Sequence, residues 1–188
     1  MIEVGQPAPP FRVVDQDGKP VTETVLRGRF TVLYAYPKDD TPGCTVEACE
    51  FTTSIAEFAE LDAQILGVSP DSPESHRRFI AKHALRVRLL SDPTHALLTP
   101  YGAWGEKVLY GKKSIGVIRS TFLIAPDGVV AHRWAKVSAA GHAGYVREKL
   151  DELRRAATAA PASARPVAAR SPKAVGTTSR RRAPRTKT

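Results

Sequence analysis

Sulfur is scarce in this chain, which has two cysteines and one methionine among 188 residues. So few thiols exclude a disulfide scaffold, and a 42% hydrophobic content supplies a core that folds without one. Long apolar runs are also missing. None reaches the roughly 18 residues of a membrane span. The opening MIEVGQPAPPFRVVD has neither a basic start nor an apolar stretch, so it does not read as a signal peptide. A cytoplasmic location is expected, where neighbouring cysteines serve catalysis or redox sensing more often than structure. Acid is absent from the C-terminal end: residues 154–188 carry ten basic residues and no acidic one, against 18 basic and 19 acidic in residues 1–153. The formal charge of +9 belongs to the tail, and the body is near neutral. From Ala156 onward the tail is Ala, Pro, Ser, Thr and Arg with no aromatic residue, too little apolar surface to offset ordering, so disorder is expected there. The expected division is a domain over 1–155 and a tail over 156–188. Ligands for a metal are lacking too: two cysteines with His76, His83, His95, His132 and His142 scattered along the chain make no zinc site. No metal and no cofactor is expected.

What is present alternates between strand and helix patterns. FRVVDQDGKPVT predicts an N-terminal hairpin around Asp17-Gly18. The apolar run from Phe30 to Pro37 predicts a buried central strand, and QILGVS a second one. Helices are expected from Thr41 to about Leu61 and after Ser72, where Ser72 is placed at the N-cap and Pro73 at N1. RVRLLSD reads as a short strand, PTHALLTPYG as a short helix and GAWGEKVLYGKKSIG as a loop. A hairpin around Asp127-Gly128 and a final amphipathic helix with Tyr145, Val146, Leu150 and Leu153 on its inner side complete an α/β fold with a mixed sheet.

Both cysteines lie in PKDDTPGCTVEACEF, Pro37 to Phe51. Thr41-Pro42 is a helix start, which puts Gly43 at N2 and Cys44 at N3. A capping box carries its acid at N3. Here a thiolate can take the anion's place, favoured by free backbone N–H groups and the positive end of the helix dipole. That makes Cys44 the candidate nucleophile. Cys49 lies five residues on, and on a regular helix the two Cα atoms are roughly 8.6 Å apart. A disulfide requires less than about 7 Å. The pair can therefore join only if the helix between them unwinds, which makes it a switchable pair. The spacing fits neither a CxxC redox motif nor a zinc knuckle.

Pro37, Thr41 and Cys44 form the P-x-x-x-T-x-x-C pattern, and PKDDTPGCTVEAC as a whole resembles the bacterioferritin comigratory protein (peroxiredoxin Q) branch of the peroxiredoxins. LLSD, YGAWGEK, RSTFLI, PDG and the late GH extend the resemblance over residues 1–153. The resemblance implies a thioredoxin-like fold, with a central mixed sheet flanked by helices, and a thiol peroxidase of the atypical two-cysteine kind serving antioxidant defence. It implies that Cys44 attacks hydrogen peroxide or an organic hydroperoxide, that Cys49 closes a disulfide on the resulting sulfenic acid, and that thioredoxin or a similar dithiol restores both thiols. It further gives Thr41 and Arg119 to the thiolate and peroxide, Pro37 to shielding the sulfur, and the backbone N–H groups of Gly43 and Cys44 to the developing oxyanion. A monomer is implied. One departure stands out: the branch often has Phe-Arg-Asp after the second cysteine, where this chain has Phe51, Thr52 and Thr53.

Other residues admit plainer readings. Glu47, one turn after Cys44, faces either Arg119 or solvent. Asp39 and Asp40 read as turn residues, and Trp104 and Trp134 as packing residues. The basic tail is either an inert extension or a non-specific nucleic-acid contact made through phosphates. The second option supports an alternative function, a DNA-associated redox-sensing protein.

Overall fold

The computed structural model describes residues 2–109 and 112–159. Its order is β1 (Arg12–Asp15), β2 (Pro20–Thr22), a 3-10 turn (Glu23–Leu26), β3 (Phe30–Ala35), α1 (Pro42–Thr53), α2 (Ile55–Glu60), β4 (Ala63–Ser69), α3 (Pro73–His83), β5 (Arg88–Ser91), β6 (Trp104–Leu109), β7 (Lys112–Val117), β8 (Ser120–Ile124), β9 (Val130–Trp134) and α4 (His142–Ala159). Seven strands form one sheet in the order β2-β1-β5-β4-β3-β8-β9. Strands β3, β4 and β5 are parallel, and the others join antiparallel. The sheet is mixed, as expected, and the N-terminal hairpin is β1–β2.

Strand β3 lies inside the sheet because Thr31 through Ala35 are buried on both of its faces. One cluster, with Val32, Tyr34, Ile65, Leu89 and Leu123, packs against Phe51 of α1, Phe58 of α2, Phe79 of α3 and Val146 and Leu150 of α4. The opposite face, with Leu33, Leu66, Val68 and Phe122, is covered by Phe11, Val21, Leu26, Leu97, Leu98 and Tyr101. Gly67 of β4 is required by this packing: a Cβ there would lie 2.7 Å from the Tyr34 ring. Tyr34 in turn stacks on Phe51, with ring centroids 4.8 Å apart. A residue without a side chain on β4 thus fixes the seat of α1. Helix α3 starts as expected, with the Ser72 hydroxyl accepting from the Ser75 N–H at 3.2 Å.

The structure differs from the sequence expectations at several points. The helix expected to run to Leu61 breaks at Ser54, which ends α1 and begins α2. The short helix expected after Asp92 is a series of turns. The Asp92 carboxylate accepts the N–H groups of Ala96, Leu97 and Leu98 at 2.8–2.9 Å, doing for them what helix carbonyls would do. The expected loop over 102–116 is instead largely the antiparallel pair β6–β7, a two-stranded sheet of its own in which Gly105 and Gly116 face each other across the ladder. Tyr145, expected on the inner side of α4, is 66% exposed. Helix α4 continues to Ala159, past the expected boundary at residue 155. The disorder expected further along the tail lies outside the described residues.

Candidate active site

Helix α1 begins at the end of β3, after the loop from Tyr36 to Thr41. Thr41 holds the N-cap position with extended dihedrals, Pro42 follows at N1, and the first helical bond runs from the Thr45 N–H to the Thr41 carbonyl at 2.8 Å. Gly43 and Cys44 therefore sit at N2 and N3, with their amides ahead of that first bond. The Thr41 hydroxyl does not cap the helix, contrary to expectation. It donates to the Lys38 carbonyl at 3.1 Å and so ties the loop to itself.

Two features outside the helix hold this loop. The Asp39 carboxylate accepts from Tyr36 Oη at 2.7 Å and Ser75 Oγ at 2.8 Å, and His76 Nδ1 lies 2.9 Å away. Burial pushes the Asp39 pKa up, but the hydrogen bonds and charge of His76, with those of Tyr36 and Ser75, outweigh it and hold the carboxyl below its ordinary value. His76 is fully buried and its Nε2 meets the Leu90 carbonyl at 3.2 Å. Asp40, in the left-handed region with φ 58°, is held from α3 by Lys82 at 2.5 Å and His83 at 2.6 Å. Asp39 is thus more than the turn residue that sequence suggested. Only the fold brings His76, 37 positions later, to its carboxylate.

Cys44 is buried, 1% exposed, and Arg119 Nη2 lies 3.0 Å from its sulfur. The antiparallel register explains the meeting: Ala35 pairs with Ser120, so the residue entering β8 stands beside the chain leaving β3. A Cβ on Gly43 would lie 3.6 Å from the same nitrogen, so the guanidinium rests over the first turn of α1. Pro37 and Arg119 line one cavity of about 440 Å³ with Val117, Ile118, Val137, Lys107, Lys136 and Glu106. The structure therefore gathers Cys44, Gly43, Arg119 and Pro37 at the mouth of α1, while the Thr41 hydroxyl is directed to Lys38.

Glu47 resolves in favour of Arg119. It is fully buried, its Oε2 accepts from Arg119 Nη1, and its Oε1 has no hydrogen-bond partner among the described residues. Burial raises its pKa to about 7 against the opposing charge and hydrogen bond of Arg119, with Glu50 adding to the rise. Burial would lower the Arg119 pKa, but Glu47 and Cys44 together raise it. One guanidinium thus serves a sulfur and a buried carboxylate on the same helix, one turn apart. His142, part of the late GH and one of the scattered histidines, starts α4. It is buried, its Nε2 lies 2.8 Å from Thr121 Oγ1, and burial with the nearby Arg119 charge lowers its pKa to about 4. Cys49 is half-buried, and both cysteines are free thiols on the one unbroken helix. Among the described residues no group of three His, Cys, Asp or Glu side chains is placed to hold a metal ion.

The sheet and the buried thiol at a helix N-terminus under an arginine define the class: a thioredoxin-fold thiol protein. The model of the AhpC/TSA family matches residues 4–133, and the chain belongs to that family. Among its relatives, the peroxiredoxin Bcp of Bacillus subtilis is 44% identical over 152 residues, covering 81% of this chain and 97% of that one. The solved bacterioferritin comigratory protein of Xanthomonas campestris, whose alkyl peroxide reduction was examined in trapped intermediate and ligand complexes, is 41% identical. It aligns with a TM-score of 0.72 over 76% of this chain and 90% of that one. A peroxiredoxin 6 of Arenicola marina shares the fold with a TM-score of 0.75 at 20% identity, over 88% and 81% of the two chains. The chain groups with the Bcp and peroxiredoxin Q proteins, and its activity is that of a thiol peroxidase.

Proposed function

We propose that Cys44 is the peroxidatic cysteine of a thioredoxin-recycled peroxidase that reduces hydrogen peroxide and organic hydroperoxides. The observation that carries this reading is the 3.0 Å contact of Arg119 Nη2 with Cys44 Sγ at the third position of α1. A guanidinium and a helix N-terminus both stabilise a thiolate over a thiol. The thiolate attacks the terminal peroxide oxygen, the O–O bond breaks, and water or an alcohol leaves with a proton. Arg suits this step because its planar donors can serve sulfur and oxygen together while staying charged. The Gly43 and Cys44 amides face the oxygen that gains charge, and Thr41 and Pro37 shape the approach. The cavity of about 440 Å³ beside Arg119, with Pro37, Val117, Ile118 and Val137 in its wall, has apolar room for an alkyl group. Cys49 then condenses with the Cys44 sulfenic acid, forming the S–S bond and releasing water. A dithiol of the thioredoxin kind reduces it. In this reading the chain works as a monomer in the cytoplasm, which sedimentation and cell fractionation check.

Steady-state peroxide turnover with thioredoxin and its reductase tests the assignment. Cys44→Ser is expected to abolish turnover, and Cys49→Ser to allow one oxidation and then stall with thioredoxin. Peroxide consumption retained in Cys44→Ser would refute it.

A second reading rests on the run of basic residues without acid after Ala159. These residues bind nucleic acid through phosphates and tether the enzyme to it. Retention on DNA at two salt concentrations, for the full chain and a chain ending at Ala159, checks this. Loss of binding with salt and with truncation, at equal peroxidase rates, is the expected result.

A further inference from the structure

We infer that Glu50 and Thr52 are positioning residues for the resolving cysteine: they keep the Cys49–Thr53 half of α1 docked while its Pro42–Ala48 half unwinds to bring Cys44 across. This inference rests on the Cys44–Cys49 disulfide proposed above. The two halves of α1 are held in different ways. After Cys49, three successive residues are fastened to parts of the molecule outside α1. Glu50 Oε1 accepts the Gly141 N–H, just before α4, at 2.8 Å. Phe51 is fully buried and stacks on Tyr34. Thr52 Oγ1 accepts the Arg86 N–H, between α3 and β5, at 3.1 Å. Thr53 Oγ1 adds a second donor to the Cys49 carbonyl at 2.9 Å.

Among the described residues, the half before Cys49 has no comparable set. Gly43, in the first turn, is the weakest helix former of α1 apart from Pro42, which stands at N1. Cys44 and Ala48 bury small side chains, and the polar grip on this half is the one guanidinium that serves both Cys44 and Glu47. Oxidation disturbs that grip, because the sulfur that meets Arg119 Nη2 at 3.0 Å gains an oxygen. Opening also returns the fully buried Glu47 carboxylate to water. The turn between the cysteines must open for their Cα atoms to close to less than about 7 Å. Phe51, Glu50 and Thr52 lie outside that turn. The threonines that stand where the family branch often has Arg-Asp thus acquire a role: they anchor the stationary cysteine. In the condensation the Cys49 S–H and Cys44 S–O bonds break, the S–S bond forms, and the proton leaves with the hydroxyl group as water.

Amide exchange of the full chain, read by NMR in the dithiol and disulfide forms, tests this directly. In the disulfide form the Glu47 and Ala48 amides should lose protection, while those of Arg86 and Gly141 keep theirs. Glu50→Ala should speed Gly141 exchange about tenfold in both forms, the effect of losing one hydrogen bond to a charged group. Its dithiol–disulfide equilibrium should stay within about threefold of the parent's, roughly 14 mV, and Thr52→Val should behave alike. A tenfold shift toward the disulfide in either variant, or loss of Arg86 and Gly141 protection on oxidation, would show that the whole helix releases and would overturn the proposal. Peptide mapping separates the two readings: a Cys44–Cys49 disulfide present with those losses sinks only the anchored half, whereas no such disulfide after peroxide treatment sinks both.

Discussion

Replacing Glu47 with glutamine keeps the shape of a buried side chain and removes its charge, and the consequence is a change in how stability depends on pH. Glu47 titrates at about 7 in the folded protein, above its ordinary 4.5. A raised carboxyl contributes stability that is fully present below 4.5 and lost as pH rises through 7. His142 runs the other way. Its folded pKa of about 4 lies below the ordinary 6.5, so its contribution is present above 6.5 and lost as pH falls toward 4. At about 1.4 kcal/mol per pKa unit, each group contributes a change of about 2 to 3 kcal/mol between pH 4.5 and 7, with opposite signs. In the parent protein the two nearly cancel. Glu47→Gln should unmask the histidine: the variant gains about 2 to 3 kcal/mol relative to the parent between pH 4.5 and 7. Urea unfolding of the reduced protein at both pH values measures this, and the comparison removes every group the two proteins share. Parallel stability curves, within about 0.5 kcal/mol, would refute the reasoning. They would mean that Glu47 is not buried as a proton-binding group against Arg119.

Arg119→Ala leaves Cys44 without its guanidinium and Glu47 without its partner. The second-order rate with hydrogen peroxide, followed by stopped flow, should fall about 10²–10³-fold, the scale for losing a preorganised donor. A rate within threefold of the parent would remove Arg119 from the chemistry. Gly67→Ala places a methyl group 2.7 Å from the Tyr34 ring; overpacking of this kind costs about 1–3 kcal/mol in denaturant unfolding. An unchanged midpoint would show that Tyr34 and Phe51 yield without cost. His76→Ala removes one of the three side chains that hold the buried Asp39 carboxylate, and the loss should be about 1–3 kcal/mol in the same assay, the cost of leaving a buried acceptor short of a partner.

Much of the site was legible because it is local. Thr41-Pro42 marks a helix start whatever surrounds it, so the placement of Cys44 at N3 and its separation from Cys49 follow from backbone geometry alone. The β8–β9 hairpin was readable for the same reason, from Asp127-Gly128 between two apolar runs. What could not be read is set by groups far apart in sequence. The Gly-rich segment from Gly102 to Gly116 looks like a loop because glycine usually punctuates chains, yet Gly105 and Gly116 sit opposite each other in a ladder. The residues after Asp92 have helical spacing, and a single carboxylate diverts three of their amides. Tyr145 falls on the apolar side of α4 by periodicity, but the core that covers Val146 and Leu150 stops short of it.

Glu47 is the instructive case, because a carboxylate one turn beyond Cys44 is equally well explained by solvent and by a partner. The deciding fact is that β3 and β8 run antiparallel with Ala35 beside Ser120, which delivers Arg119 to the first turns of α1. Once the arginine is there, burial of Glu47 becomes tolerable, and the buried carboxylate in turn holds the arginine against the sulfur. Burial therefore stores free energy in the closed helix that opening releases, since an ionised Glu47 is better solvated outside than in. The same pair that aims Arg119 at Cys44 makes the first turns of α1 easy to undo, whereas Phe51, seated on Tyr34 through the space left by Gly67, makes the last turn hard to undo. Reactivity at one end of α1 and stability at the other are consequences of one strand register and one missing side chain.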